Sequence, residues 1–237
     1  MPAPARCAVL TLWRTPAPGN GQGVPLRCRI TFGDRADPQP AEPGGHDAPA
    51  ACTRLRQVHG TRVLRVEHPG QHDDAEADAA WTAAPGAVLV VRTADCVPLA
   101  LYGRIAGGTP RPVVAVVHAG WRGLAGGVVE ETAAALHAAG AVGLHAVVGP
   151  YIHASAYEFG EADLARLAAS LGPQVAARTA WGAPALDLGA AAATVLARSR
   201  IRLDHDVARC TAADPARCCS HRARGDAERM ATTVALR

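Results

Sequence analysis

Between residues 85 and 150 the chain repeats a short apolar run stopped by glycine, proline or a polar cluster. Ala87–Val91 follows Pro85-Gly86, and Pro98–Tyr102 and Pro112–Val117 have the same form. Runs of this length suit buried strands and are too short for typical helices. The period then changes. Leu124, Val128, Thr132 and Leu136 recur every four residues, which predicts a helix over Leu124–Ala139 with Gly140 as its cap. Leu144–Val148 returns to the strand pattern and stops at Gly149-Pro150. Further helices are expected over Glu161–Leu171, ended by Gly172-Pro173, and over Leu188–Ser199, with Asp187 as N-cap. Arg27–Phe32, His205–Cys210 and Met230–Leu236 read as strands. Interleaved strands and helices predict a layered mixed α/β (α+β) fold, with central mixed β-sheets flanked by helices. All of residues 1–237 is read as a single domain, long enough for a sizeable core. Residues 34–49 read as a mobile loop. His68–Ala84, with Asp73, Asp74, Glu76 and Asp78, reads as a solvated connection.

Composition removes several chemistries. All 24 basic residues are arginine. Without a lysine no Schiff base forms, which excludes pyridoxal and lysine-aldolase mechanisms, and no Walker loop can be built. The formal charge of +3 is small and the arginines are dispersed, so nucleic acid is not an expected partner. No apolar run reaches membrane-spanning length, and Met1–Trp13 lacks the apolar stretch of a secretion signal. A cytoplasmic location is therefore expected. Seven cysteines, an odd number without a secretion signal, point to reduced thiols, and the lack of a Cys-x-x-Cys pair argues against a zinc ribbon or thioredoxin-like motif. No protein partner is implied.

Three segments place metal-competent side chains where strands or turns end: Gln57–Gly60, Thr93–Pro98 and His118–Gly123. Two imidazoles (His59, His118) and one thiolate (Cys96) suit zinc and leave a fourth position open, the arrangement of catalytic sites. Spacing alone is unspecific here, and packed histidines and buried thiols are the competing reading. Asp95 can orient a ligand histidine or exchange protons with a substrate; a turn or capping role competes. Arg122 sits in a glycine-rich turn at a helix start, where an oxyanion can bind; a surface arginine is the alternative.

Together with Gly149–Ile152 and Tyr157-Glu158, these segments resemble the laccase-domain (YfiH-type) family over residues 55–237. Its members were called polyphenol oxidases and are understood as purine nucleoside phosphorylases. The resemblance implies a compact α/β fold and zinc held by His59, Cys96 and His118. It implies phosphorolysis of adenosine, inosine, guanosine or methylthioadenosine to free base and sugar 1-phosphate, with adenosine deamination in some members. On that basis Asp95, Cys96 and His118 are the candidate catalytic residues, and Arg122, His221, Arg222 and Arg229 the candidates for phosphate and substrate. Only small-molecule partners, nucleoside and phosphate, follow. Two regions depart from the family pattern, Pro16–Arg29 and the C-terminal Cys219–Ala223 with Ala227–Arg229. A copper-type polyphenol oxidase is one rival, with copper at the same ligands. No His-x-His pair supports a multinuclear copper centre. A cytidine-type zinc deaminase lacks its His-x-Glu and Pro-Cys-x-x-Cys motifs here. A cysteine hydrolase using Cys96, and a metal kept only as a structural staple, are the remaining alternatives.

Overall fold

The computed structural model describes residues 10–14, 28–36, 52–107 and 109–236. Its strands are β1 (Leu10–Arg14), β2 (Cys28–Phe32), β3 (Cys52–Arg54), β4 (Val63–Val66), β5 (Ala79–Thr82), β6 (Val88–Thr93), β7 (Val97–Ile105), β8 (Arg111–Ala119), β9 (Ala141–Val148), β10 (Ala176–Arg178), β11 (Pro184–Leu186), β12 (Arg202–Asp206) and β13 (Met230–Leu236). The α-helices are α1 (Trp121–Gly126), α2 (Val128–Ala138), α3 (Glu161–Leu171), α4 (Leu188–Arg198) and α5 (His221–Arg224). Two mixed sheets carry the fold, in the strand orders β1-β2-β13-β6-β3 and β12-β9-β7-β8-β5-β4; β10 and β11 form a separate hairpin. The fold is mixed α/β, with sheets flanked by helices, as the alternating periods imply.

Alternation along β7 and β8 decides the layers. Successive side chains of a strand point to opposite faces, so a strand buried on both faces must be apolar throughout. Leu99, Leu101, Val113, Ala115 and Val117 pack with Leu124, Val128, Leu136, Leu167 and Leu196 in the helix-side core. Their neighbours Ala100, Tyr102, Val114 and Val116 pack with Ile30, Phe32, Leu89, Val91 and Val234 between the two sheets. Each large apolar side chain buried in these layers contributes about 1.5–3 kcal/mol. No helix among the described residues is long and apolar enough to cross a membrane.

Several expectations hold in place: the strands at Cys28–Phe32 and Met230–Leu236, the helix at Glu161–Leu171, and the Asp187 cap, whose side chain accepts the Ala190 N–H at 2.8 Å. Others need correction. The helix expected over Leu124–Ala139 is two helices, because Gly127 adopts φ 95° and breaks the chain between α1 and α2. The strand expected at His205–Cys210 lies earlier, at Arg202–Asp206, where it pairs in parallel with β9. Of the loop expected at 34–49, residues 37–49 lie outside the described residues. Its first residues are anchored: Arg35 donates to the Cys218 carbonyl and pairs with Asp226. The largest correction concerns His68–Ala84. Its end is not a solvated connection but β5, buried at every position and pairing antiparallel with β8. Apolar Ala79-Ala80-Trp81 outweighs the acidic residues before it.

Candidate metal centre

β7 and β8 run antiparallel, and their register pairs Val97 with Ala119 and Pro98 with His118. Cys96, immediately before β7, is thereby brought beside the end of β8. The partner across β8 is β5, with Ala79 opposite Val117. One step further along this antiparallel pair, Asp78 stands opposite His118, and strand alternation turns both to the same face. The His118 backbone N–H donates to the Asp78 carbonyl at 2.7 Å, and its Nδ1 lies 2.7 Å from Asp78 Oδ1. Both side chains are buried: Asp78 is 0% exposed and His118 3%.

His59 reaches the same point from a turn rather than a strand. Its backbone is left-handed, φ 60°, and the Val58, His59 and Gly60 amides all donate to the Asp78 carboxylate, at 3.2, 2.9 and 2.8 Å. Gln57 ties this turn to β6: its carboxamide donates to the Arg92 carbonyl and accepts the Arg92 N–H, both at 2.8 Å. The two imidazoles meet edge to face, centroids 4.8 Å apart. Gly120 completes the cradle, since a Cβ there would lie 2.9 Å from His59 Cδ2 and 3.0 Å from Cys96 Sγ. No side chain fits at that position.

One ligand atom each from His59, Cys96 and His118 lies within 4.8 Å of the others, and Cys96 Sγ is 3.9 Å from His59 Nε2. Zinc–nitrogen and zinc–sulfur bonds of about 2.0–2.3 Å separate tetrahedral donors by roughly 3.3–3.6 Å. The three groups therefore fit one metal ion after a small inward movement. They are the one such group found among the described residues.

The electrostatics of these groups are coupled. Burial alone would raise the Cys96 thiol, but hydrogen bonds and charge from His118 and His59 bring it down to about 6. Burial disfavours a charged His118, yet Asp78 and Cys96 lift it to about 9. Desolvation opposes ionisation of Asp78 too, and the His118 ring and the Gly60 and Val58 amides still hold it below the usual carboxylate range. Asp78, His118 and Cys96 thus form a chain in which each group favours the charged form of the next.

The metal-competent group opens on a cavity of about 670 Å³ that is also lined by Asp95, Arg122, His221, Arg222 and Arg229. All the candidate site residues thus line one cavity, although the contacts of Asp95 are not those expected. Asp95 does not orient a ligand histidine; Asp78 makes that contact. The Asp95 carboxylate accepts the Thr211 hydroxyl at 2.5 Å and the Arg222 amide at 2.6 Å, on a backbone with φ 100°. Arg122 stacks on Trp121, 4.3 Å from the ring centroid, and has no carboxylate partner among the described residues. It sits in a helix of only six residues. Arg222 lies 4.8 Å over the Tyr157 ring and donates to the Glu158 carbonyl. Arg229 donates to the carbonyls of Asp226, Ala227 and Glu228, each at 2.9 Å. The guanidinium groups of Arg122 and Arg222, set against rings and a carbonyl, keep their full charge for an anion.

Sequence reasoning missed Asp78, the Gln57 clamp, the Thr211 hydroxyl and the additional lining cations Arg56 and Arg92. The signal for Asp78 was its place directly before Ala79–Thr82, an apolar run long enough for a strand.

Residues 44–237 match the family model described as multi-copper polyphenol oxidoreductase laccase. A purine nucleoside phosphorylase of Pseudomonas aeruginosa is 37% identical over 190 residues, 77% of this chain and 73% of its own length. Proteins of that name from Xylella fastidiosa and Deinococcus radiodurans are 46% and 41% identical over 45% and 58% of this chain; those matches span 40% and 52% of the relatives' length. Among solved structures, the hypothetical protein YfiH of Bacillus licheniformis shares the fold, with a TM-score of 0.72 at 19% identity, covering 90% of this chain and 93% of that one. A Neisseria meningitidis protein gives 0.68 at 27% identity, covering 96% and 98%.

Proposed function

We propose that this chain, which belongs to the multi-copper polyphenol oxidoreductase laccase family, is a zinc-dependent purine nucleoside phosphorylase. One observation carries the reading: His59, Cys96 and His118 converge at the floor of a cavity lined by Arg122, Arg222, Arg229 and His221 and by the aromatic rings of Trp121 and Tyr157. Phosphorolysis must hold an anion beside a sugar carbon that becomes cationic, and must supply a proton to the departing base. The cavity offers both groups. The names of the relatives support the same reaction class.

In this reading Arg122, Arg222, Arg229 and His221 bind phosphate, and Trp121 and Tyr157 offer apolar faces to the purine and sugar. Burial pushes the Tyr157 phenol up to about 12, so it remains a neutral donor. Asp95, oriented by Thr211 and the Arg222 amide, exchanges the proton with the leaving base. His59, Cys96 and His118 would hold a zinc ion, which would supply Lewis-acid chemistry at the cavity floor. Adenosine, inosine, guanosine and methylthioadenosine are the proposed substrates, with hydrolytic deamination of adenosine as a side activity. A single catalytic domain over residues 1–237 and a cytoplasmic location complete the proposal. The donor set favours one ion over a multinuclear copper centre, since the chain has no His-x-His pair and the described residues hold a single three-ligand group.

A second reading has one specific observation in its favour. With no metal bound, Asp78, His118 and Cys96 stand in the order orienting acid, base and nucleophile, and the thiol is already lowered to about 6. That is the arrangement of a cysteine hydrolase.

Adenosine turnover with and without inorganic phosphate, for the wild type and Cys96→Ala, separates the readings. Adenine release that needs both phosphate and Cys96 supports the phosphorylase. Inosine without adenine points to the deaminase. A zinc-loaded protein that converts none of the four nucleosides overturns the proposal, and ester or amide hydrolysis by the metal-free protein would establish the cysteine hydrolase. Metal analysis of protein purified without added metal distinguishes zinc from copper.

A further inference from the structure

We infer that Asp78 is a positioning residue that sets both histidine ligands at once, a role that rests on the proposed metal site. Four N–H donors converge on its two oxygens. Oδ1 accepts the His59 amide at 2.9 Å and faces His118 Nδ1 at 2.7 Å; Oδ2 accepts the Val58 and Gly60 amides at 3.2 and 2.8 Å. The carboxylate has no exposure, so water cannot replace a lost contact.

Each half of this arrangement fixes one ligand. Three consecutive amides directed at one anion form a backbone nest, which holds His59 in its left-handed conformation. The turn then presents the His59 ring to Cys96. On the other side, a proton on His118 Nδ1 is committed to Asp78. That leaves Nε2 as the nitrogen with a free lone pair for a metal, and it fixes the ring angle. The Asp78 carbonyl also accepts the His118 amide, so strand register and side chain act in the same sense. His59 and His118 lie 59 residues apart in sequence, and Asp78 binds the backbone of one and the side chain of the other.

Only a carboxylate satisfies this geometry. Both oxygens must accept, two donors each. Asparagine has the same shape but one acceptor oxygen, and its amide nitrogen would face N–H donors wherever it is placed. It must abandon either His118 or part of the nest. Glutamate adds a methylene where there is no free space. Asp78→Asn therefore perturbs the hydrogen bonding with little change in volume.

The test is zinc affinity by competition with a chromogenic chelator, with the absorption spectrum of the cobalt(II)-loaded protein as a second readout. Asp78→Asn should fold, by circular dichroism, yet bind zinc about 10- to 100-fold more weakly, with shifted cobalt bands. A merely structural carboxylate would lower thermal stability and leave zinc affinity and the cobalt spectrum of the folded fraction unchanged; that result overturns the role. Should the variant not fold, histidine nitrogen resonances of the zinc-loaded wild type decide. His118 protonated at Nδ1 and ligated through Nε2 supports the role, and ligation through Nδ1 overturns it. Cys96→Ser is the control for the site itself. A wild type that takes up no more zinc than Cys96→Ser overturns the metal reading, and this role with it.

Discussion

The two walls of the cavity are held in different ways. Cys96 and His118 stand at the ends of β7 and β8, central strands of the larger sheet, and buried Asp78 ties His118 to the His59 turn. The opposite wall is Ser220–Arg229, a four-residue helix and a loop. It is secured by Asp226, which accepts the Ser220 amide and the Arg224 side chain and pairs with Arg35, and by Arg224, which reaches the Cys218 and Thr211 carbonyls. One wall is fixed by strand register and burial, the other by charge-assisted bonds at the surface. The first is difficult to move and tolerates no change of ligand. The second rests on charged contacts that salt can screen.

That contrast can be broken most forcefully at the ligands. Cys96→Ala should abolish metal uptake and nucleoside phosphorolysis while leaving the circular dichroism spectrum intact; retained turnover in that variant would remove the metal wall from the reaction. Gly120→Ala is expected next in size. Its methyl group would sit against His59 and Cys96 Sγ, and metal affinity should drop by the roughly 10- to 100-fold typical of a disturbed ligand shell, measured by chelator competition. The surface wall should respond differently. Asp226→Ala should raise the KM for phosphate severalfold with zinc affinity unchanged, and added salt should reproduce part of that effect. If zinc affinity fell as well, the two walls would not be independent.

The smallest effect is a pH profile on protein freed of metal. Cys96 is lowered to about 6 from 9.0, so its stabilising charge is lost as pH falls through about 6. His118 is raised to about 9 from 6.5, and its contribution is lost as pH rises through about 9. Between those limits the thiolate contribution grows with pH while that of His118 declines, so the two offset each other and stability changes little. Alkylation of Cys96 should proceed at pH 7 and fade below about 6. A rate that begins to climb only near pH 9 would show that the thiolate is not compensated by the histidines.

The sequence was most legible where local and tertiary preferences agree. Apolar runs such as Pro112–Val117 are strands because both faces are covered, and Asp187 caps α4 because its side chain needs only a neighbouring amide. Three residues of the site could be named because the motifs around them are specific, although nothing local shows that His59 and Cys96 touch. Asp78 was illegible for a physical reason: it follows Asp73, Asp74 and Glu76, and a run of acids ordinarily faces water. Its burial is made tolerable by a histidine 40 residues away and by three amides of the Val58–Gly60 turn, none of which its local sequence reveals. Asp95 misled in the opposite sense. Adjacency to Cys96 suggested a partner for a ligand histidine, but its positive φ turns it toward Thr211, 116 residues on. The broken helix at Gly127 shows that a four-residue period continues across a backbone break.

The order in which the chain assembles follows from the β5–β8 pairing. His59, Cys96 and His118 come together only after β5, β7 and β8 have docked, so no fragment of the chain holds a chelating set during early folding. Distant pairings of this kind form slowly, and an ion can be captured only once they exist. Small zinc modules collapse around their metal; an ion held by His59, Cys96 and His118 would instead enter a site already built by strand pairing. A chelator should then remove the ion without unfolding the chain.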